Sequence, residues 1–404
     1  MYFDPLEALA ARHDNVVLRD RDGNPSVFVR FEKCLSSDLD PSLPAHVHPA
    51  FIIDGKERDY ILIGKYKAGV VESGKGYFSI PNANPVYNTT HDWFLQQMKI
   101  AGPGISGMTV ADYGFIKLLA QKNGWRPQGN TNYTASHALS LTAWQVGKNL
   151  SAGNFRLYNG WKYECLTAHT SAAENKPDVS PHIWKKLKQV GGTTKDTGSP
   201  MDGYLCGRRT LNGSGPKEWY LGGDARNIAD IVSSPAEFQF GYRTVDCEIQ
   251  VLENNDAADP EADLSADSGA WRAILPHAGD DGYDLVKPGT EGTLHWNYVD
   301  STIVLDTHCD DLTSGLQSVA FTALAPRSTL AYVPSIMKEL GLFPTGSGDT
   351  TPGTLFVNFG SGERIAIRGG MYNYTTTAGM GWVRSSLQRT SVSDRYGARP
   401  RMME

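Results

Sequence analysis

Residue types capable of chemistry are scattered along this chain of 404 residues. His46-Val47-His48 sets two imidazoles on one side of a strand, where they could share a metal, although no third ligand stands nearby in sequence. Asn254, Asn255, Asp256, Asp259, Glu261, Asp263 and Asp267 gather hard oxygens that suit either a calcium loop or a solvated acidic loop. Asp306, His308, Asp310 and Asp311 could bind a metal or exchange protons, and their spacing suits an Asx turn at a strand end equally well. The run from Thr345 to Gly348 lacks a following Lys and a helix, so it is no phosphate loop. Spacing alone leaves open a pair of carboxylates across a cleft, as glycoside hydrolysis needs. Cys34, Cys165, Cys206, Cys247 and Cys309 form no CxxC pair, and separations of roughly 40 to 130 residues suit neither a zinc module nor a disulfide framework. They read as mostly buried thiols, and neither metal nor cofactor is expected.

Two aromatic stretches are more specific. From Trp144 to Leu187, Trp144, Tyr158, Trp161, Tyr163 and Trp184 crowd a short segment. Near the end, RGGMYNYTTTAGMGW (Arg368 to Trp382) is rich in Gly, Thr, Tyr and Trp and poor in Leu and Val. That composition makes a weak core and a good contact surface, because aromatics supply area at low entropic cost and hydroxyls adapt their hydrogen bonds.

The elements that must carry these residues are short. VVLRDRDGNPSVFVRF (Val16 to Phe31) reads as two strands around Asp22-Gly23-Asn24-Pro25, and FIIDGKERDYILIGKY (Phe51 to Tyr66) repeats the pattern around Asp54-Gly55. Thr109 followed by Asp112 signals a helix start, with Tyr113, Ile116, Leu119 and Ala120 on one face and Asn123-Gly124 as the stop. One short amphipathic helix is expected. Gly191 to Gly203 reads as a flexible return. FGYRTVDCEIQVL (Phe240 to Leu252), STIVLDT (Ser301 to Thr307) and GTLFVNFG (Gly353 to Gly360) read as strands, so strand content should exceed helix content.

A formal net charge of -6 and pI near 5.9 give no long-range basic field, which disfavours nucleic acid as a partner. MYFDPLEALAARHDN carries Asp4 and Glu7 and lacks a basic start, an apolar core and a cleavage site, so no signal peptide is expected. No apolar run reaches the roughly 18 residues of a spanning helix, so no membrane insertion is expected.

The segment Trp144 to Leu187 resembles the small chitin- and cellulose-binding modules attached to glycosidases and phage fibres. The landmarks are Trp144, Gly153, Tyr158-Asn159-Gly160, Tyr163, His169-Thr170, Pro177 and Trp184. The resemblance implies a glycan site in which flat aromatics stack on sugar faces, with Tyr158, Trp161, Tyr163 and Trp184 as carbohydrate-binding candidates. The alternative is that Trp144, Tyr163 and Trp184 form the tiny core, which leaves Tyr158 and Trp161 as the surface candidates.

Around this insertion, from about Pro49 to Pro400, the chain resembles the C-type-lectin-like fold of formylglycine-generating enzymes, phage tropism determinants and the variable proteins of diversity-generating retroelements. HPAFIIDGKERDYILIGKY is similar to the opening of that fold, Met108 to Trp125 to its main helix, Gly207 to Gly223 to a loop of phage members, and RGG…GAR (Arg368 to Arg399) to its RGG…GFR ending. Departures are clear. The family's GNVWEW is replaced by Ser233-Ser234-Pro235-Ala236-Glu237-Phe238, and nothing after Cys309 is a cysteine, so the oxidative chemistry of the enzyme branch has no thiol pair.

The resemblance implies an α+β fold with three parts: an N-terminal attachment hairpin (1–48), a C-type-lectin-like domain (49–140 and 191–404) and an inserted all-β module (141–190). It implies a non-catalytic phage tail or fibre adhesin in the virion, a trimer among other tail proteins, recognising a host-surface glycan or protein. The implied contact face comprises Tyr372, Asn373, Tyr374, Thr375, Thr376, Trp382, Arg384, Ser386, Gln388, Arg389, Ser391 and Arg395, held between the RGG and G-A-R anchors. The alternative within that segment is that Trp382 and Val383 are buried and Arg399 is a structural ion-pair partner. The alternatives for the whole are a virion assembly protein using the same face, and a glycan-processing enzyme.

Overall fold

A computed structural model describes residues 5–20, 22–69, 77–138, 141–192 and 208–403. Cys206 and most of the return between Gly191 and Gly203 lie outside the described residues. Turn chemistry sets the first elements. The strands Val16–Arg19 and Pro25–Glu32 pair with Val17 opposite Val27, and the Asp20 carboxylate accepts the N–H groups of Asp22 and Asn24 to close the turn. Asp54 and Gly55 both take positive φ, 52° and 64°, which is the twist a two-residue hairpin between Ile52–Ile53 and Lys56–Glu57 requires.

The first hairpin is built into a larger sheet. Pro25–Glu32 carries Val27, Phe28, Val29 and Phe31, all buried, and such a strand must be covered on both faces. It pairs antiparallel with Tyr60–Gly64, which pairs with Pro400–Met402, which in turn pairs with Ile105–Gly107. One sheet therefore joins the beginning of the chain to its end.

Thr109 and Asp112 form the expected reciprocal cap of the helix Val110–Lys122, and Asn123 ends it. The helix is not amphipathic, because ten of its thirteen residues are buried. Its one central cation, Lys117, is buried too and pairs with Asp349 and Gln121. Among the described residues there are four more α-helices, Pro5–Arg12, Ser36–Leu39, His91–Ala101 and Ser335–Glu339, which sequence periodicity did not expose.

The helix packs on a large mixed sheet whose middle strand, Ala236–Val245, is buried along nearly its whole length. Ala236, Phe238 and Phe240 face one core with Phe94, Trp271 and Trp382. A register shift follows, at Gly241 with φ of 79°, and Tyr242 faces the other core with Tyr113, Ile249 and Trp296. From Phe238 to Arg243 this strand advances five residues while its partner advances two, from Ile367 to Ile365, and the odd excess reverses the alternation, so a single strand serves both cores. The fold is thus α+β, dominated by short strands.

Two fully buried arginines tie distant segments together, and one of them, Arg399, joins the two sheets. Arg399 grips Glu237 through two hydrogen bonds of 2.8 and 2.9 Å and donates to the carbonyls of Gly64, Lys65 and Ala229. Lys67 lies 3.5 Å from Glu237 and donates to the carbonyls of Ser233 and Pro235, and burial pushes its ammonium down to about 8. Arg368 lies over the Tyr113 ring and donates to the carbonyls of Leu340, Gly341 and Met380. Removing one partner of a buried pair strands the other charge, at a cost of about 3–5 kcal/mol. Arg399→Met should therefore lower the free energy of unfolding by about that amount, measured in denaturant titrations. Arg399→Met with Glu237→Leu should recover only part of the loss, since Lys67 is then left buried with two carbonyl acceptors and no carboxylate.

Candidate functional site

The module between residues 141 and 192 is built on Asn159-Gly160. Both residues have positive φ, 46° and 75°, and join Phe155–Tyr158 to Trp161–Cys165 as a tight hairpin. Trp184–Gln189 adds the third strand, with Trp184 opposite Cys165. A unit this small has few side chains to bury, so its core is aromatic. Trp144, Tyr158, Tyr163 and Trp184 pack with Leu150 and Cys165, and the Trp184 indole N–H is bonded to the Asn175 carbonyl at 2.9 Å.

Three of the four carbohydrate-binding candidates, Tyr158, Tyr163 and Trp184, are therefore core residues and offer no ring face to a ligand. Trp161 is half-buried, with the Lys186 ammonium 3.8 Å over its ring. A sugar must use the other face of that ring or displace the ammonium. Sequence reasoning missed Phe155, which is 38% exposed with Lys162 above it. Tyr158 stands opposite Trp161, and Phe155 is three residues before Tyr158, so alternation puts Phe155 and Trp161 on opposite sheet faces. That alternation was the available signal.

The C-terminal segment divides sharply. In Arg368-Gly369-Gly370 a Cβ on Gly369 would meet the Ile231 carbonyl at 2.4 Å, so the anchor needs glycine for close approach. Tyr372 and Trp382 are 0% exposed and do not face outward. Trp382 is packed by Tyr374 and Phe356, its ring centroid 5.3 and 5.9 Å from theirs. Tyr372 is covered by Tyr133, and its hydroxyl, pushed up to about 12 by burial and then by the Asp394 charge, donates to Asp394. Arg389 is no free charged anchor either, because Glu363 takes two of its donors and Asp92 a third. Ser391 accepts the Gln388 N–H in a turn.

What remains at the surface is a smaller group. Arg384 and Ser386 alternate with buried Val383, Ser385 and Leu387 on the strand Val383–Leu387. Arg384 donates to the Tyr374 and Ser386 hydroxyls. Asn373, Thr375 and Arg395 are half-buried, and Thr376 and Gln388 are exposed. Phe356, which lies opposite Arg384 in the neighbouring strand, belongs to this face and was not foreseen. The backbone also ties the face to the segment that precedes the module: Thr375 N–H donates to the Thr131 carbonyl and Tyr133 N–H to the Tyr372 carbonyl.

The other chemical candidates are spent on structure. His48 is fully buried, accepts the Ala50 N–H and faces the Glu339 carbonyl, while His46 lies 2.6 Å from the Glu339 carboxylate. Asn255 ties Thr109, Asp112 and Ala50, and Asp256, Asp259 and Asp263 accept backbone N–H groups. Asp306 and Asp310 share Asn297 and Arg327, and Asp311 caps Thr313 and Ser314. Among the described residues no three His, Cys, Asp or Glu side chains converge to hold a metal ion. Cys165 and Cys247 are buried, Cys34 and Cys309 half-buried, and the Cys247 and Cys309 thiols are hydrogen-bonded neighbours that spacing did not reveal.

Residues 143–185 match carbohydrate-binding module family 5/12. This segment is a carbohydrate-binding module. The match covers a small share of the chain and leaves the surrounding fold unassigned. A chitin disaccharide deacetylase of Vibrio alginolyticus is 30% identical over 103 residues, which are 26% of this chain and 22% of that protein. The chain thus spans about a fifth of the length of the curated relative it matches.

Two outcomes are expected. Trp184→Ala should destabilise the module by about 3–5 kcal/mol, seen as lost hydrogen-exchange protection over residues 149–189, whereas Trp161→Ala should leave that protection intact. Burial holds His48 down to about 4 from its ordinary 6.5, so it folds neutral. The stability this carries is complete above pH 6.5 and is lost as pH falls toward 4, about 3 kcal/mol in all. His48→Gln should flatten the acid limb of the stability curve in that window.

Proposed function

We propose that this chain is a non-catalytic adhesin: a phage tail or fibre receptor-binding protein that recognises a host-surface glycan. The observation that carries the glycan is the module, whose landmark residues build a packed aromatic core that holds Phe155 and Trp161 at the surface. The deacetylase relative narrows the ligand class, because chitin is a β-linked N-acetylglucosamine polymer and that is the glycan we assign.

The remainder is proposed as C-type-lectin-like. Tyr60–Gly64 and Pro400–Met402, from the two sides of the insertion, are neighbouring strands of one sheet, which supports reading both parts as one domain. The anchors RGG and G-A-R are both buried arginine sites, and between them Tyr374, Arg384, Ser386 and their neighbours form the second contact face. The absence of catalysis is part of the proposal, supported by the commitment of Asp306, His308 and Asp310 to Arg327 and Asn297. Trimeric assembly among other tail proteins would multiply weak single sites by avidity.

Sedimentation of the full chain with insoluble chitin tests the glycan. Phe155→Ala combined with Trp161→Ala should weaken retention at least tenfold with the fold intact, and unchanged retention would sink the assignment. Tyr374→Ala with Arg384→Ala should reduce host adsorption while particles still assemble. Failed assembly with normal adsorption of the surviving particles would favour the structural role instead.

A further inference from the structure

A cleft of about 300 Å³ opens between the helix His91–Ala101 and the loop from Ala257 to Ala266, away from the module. At its base lies Ser106, 2% exposed, whose hydroxyl has no hydrogen-bond partner. The sheet register fixes Ser106 there, directly opposite Arg401. Arg401 is equally buried, binds Asp112 through Nε, and leaves Nη1 without a partner. Buried polar atoms nearly always find partners, so the Ser106 hydroxyl, which lines the cleft, has the capacity to bond a polar group held there.

The walls say what kind of group. Leu95 from the helix and Ala262 and Leu264 from the loop give apolar walls, while Gln96 and Lys99 offer exposed donors. Arg389 closes one end, with its guanidinium already spent on Glu363 and Asp92. Asp259 and Asp263 reach the cleft, each with one carboxylate oxygen on a turn N–H, opposite the Lys99 ammonium, and among the described residues no three such groups converge to hold a metal ion. The ligand that suits these walls is compact and neutral, with an apolar face and hydroxyls around its rim.

We propose that this cleft binds a single hexopyranose unit, with Ser106 hydrogen-bonded to a ring substituent and the ring held between Leu95 on the helix and Ala262 and Leu264 on the loop. The choice of a sugar among neutral polyols rests on the glycan reading of the module, but the site itself does not involve the module. The chain would then hold a glycan at two separated points, and the cleft would select its terminal residue.

Saturation-transfer NMR on the full chain tests this with N-acetylglucosamine, glucose and galactose offered separately. The variant Phe155→Ala/Trp161→Ala removes the module's contribution. In that background at least one sugar should still receive transfer. Ser106→Ala should weaken its binding about tenfold, and Ala262→Trp, which fills the cleft from a half-buried position, should abolish it. Thermal unfolding of each variant checks the fold. Transfer that is lost in the module variant alone, or that survives Ser106→Ala and Ala262→Trp in folded protein, would overturn the cleft and leave the module reading standing. Transfer retained in the module variant but lost in the cleft variants would support it.

Discussion

The bidentate pair between Arg399 and Glu237 sits where the two sheets meet, at one end of the segment that carries the C-terminal contact face. Glu237 begins the strand that both cores share, and Arg399 immediately precedes the strand that closes the other sheet. A charge this deep is tolerated only when all its donors are used, and Arg399 uses its remaining ones on the carbonyls of Gly64, Lys65 and Ala229. The pair therefore fixes three chain segments at once. Geometry of this kind rewards arginine over lysine, because the planar fork reaches several acceptors in one plane.

The surface between Arg368 and Arg399 follows from these two anchors. With both guanidinium groups buried, the intervening chain must leave the sheet and return to it, and its largest aromatics fold inward to cover the second core. Tyr372 and Trp382 are consequently walls, and Tyr374, Arg384 and Ser386 are what those walls present. The hydrogen bonds from this loop to Thr131 and from Tyr133 back to it place the entry to the module against the contact face.

The module itself illustrates a constraint of size. A unit of some fifty residues has too little aliphatic content to close a core, so the aromatics that sugar binding would favour are taken by packing. Only Phe155 and Trp161 escape, each beneath a lysine ammonium, and on opposite faces. A cation over a ring holds its orientation and also competes for the face a sugar would stack on.

Much of the local structure was legible in the residues. Asp54-Gly55 and Asn159-Gly160 specify their hairpins because both backbone positions need positive φ, Thr109 with Asp112 specifies a helix start, and Trp144 to Trp184 carries the landmarks of a carbohydrate-binding module. These are short-range properties, decided within a few residues. Which aromatics face outward was not legible, since Tyr158, Tyr372 and Trp382 have the same types as true surface anchors and differ only in what packs on them from distant segments. The burial of the helix Val110–Lys122 on all sides, the reversal at Gly241 and the unmet pair of Ser106 and Arg401 also arise from contacts between residues far apart in the chain. Sequence alone determined the turns, the cap and the module, because those depend on neighbours along the backbone. Only the tertiary structure decided which side chains are exposed, because exposure is set by the segments that close over them.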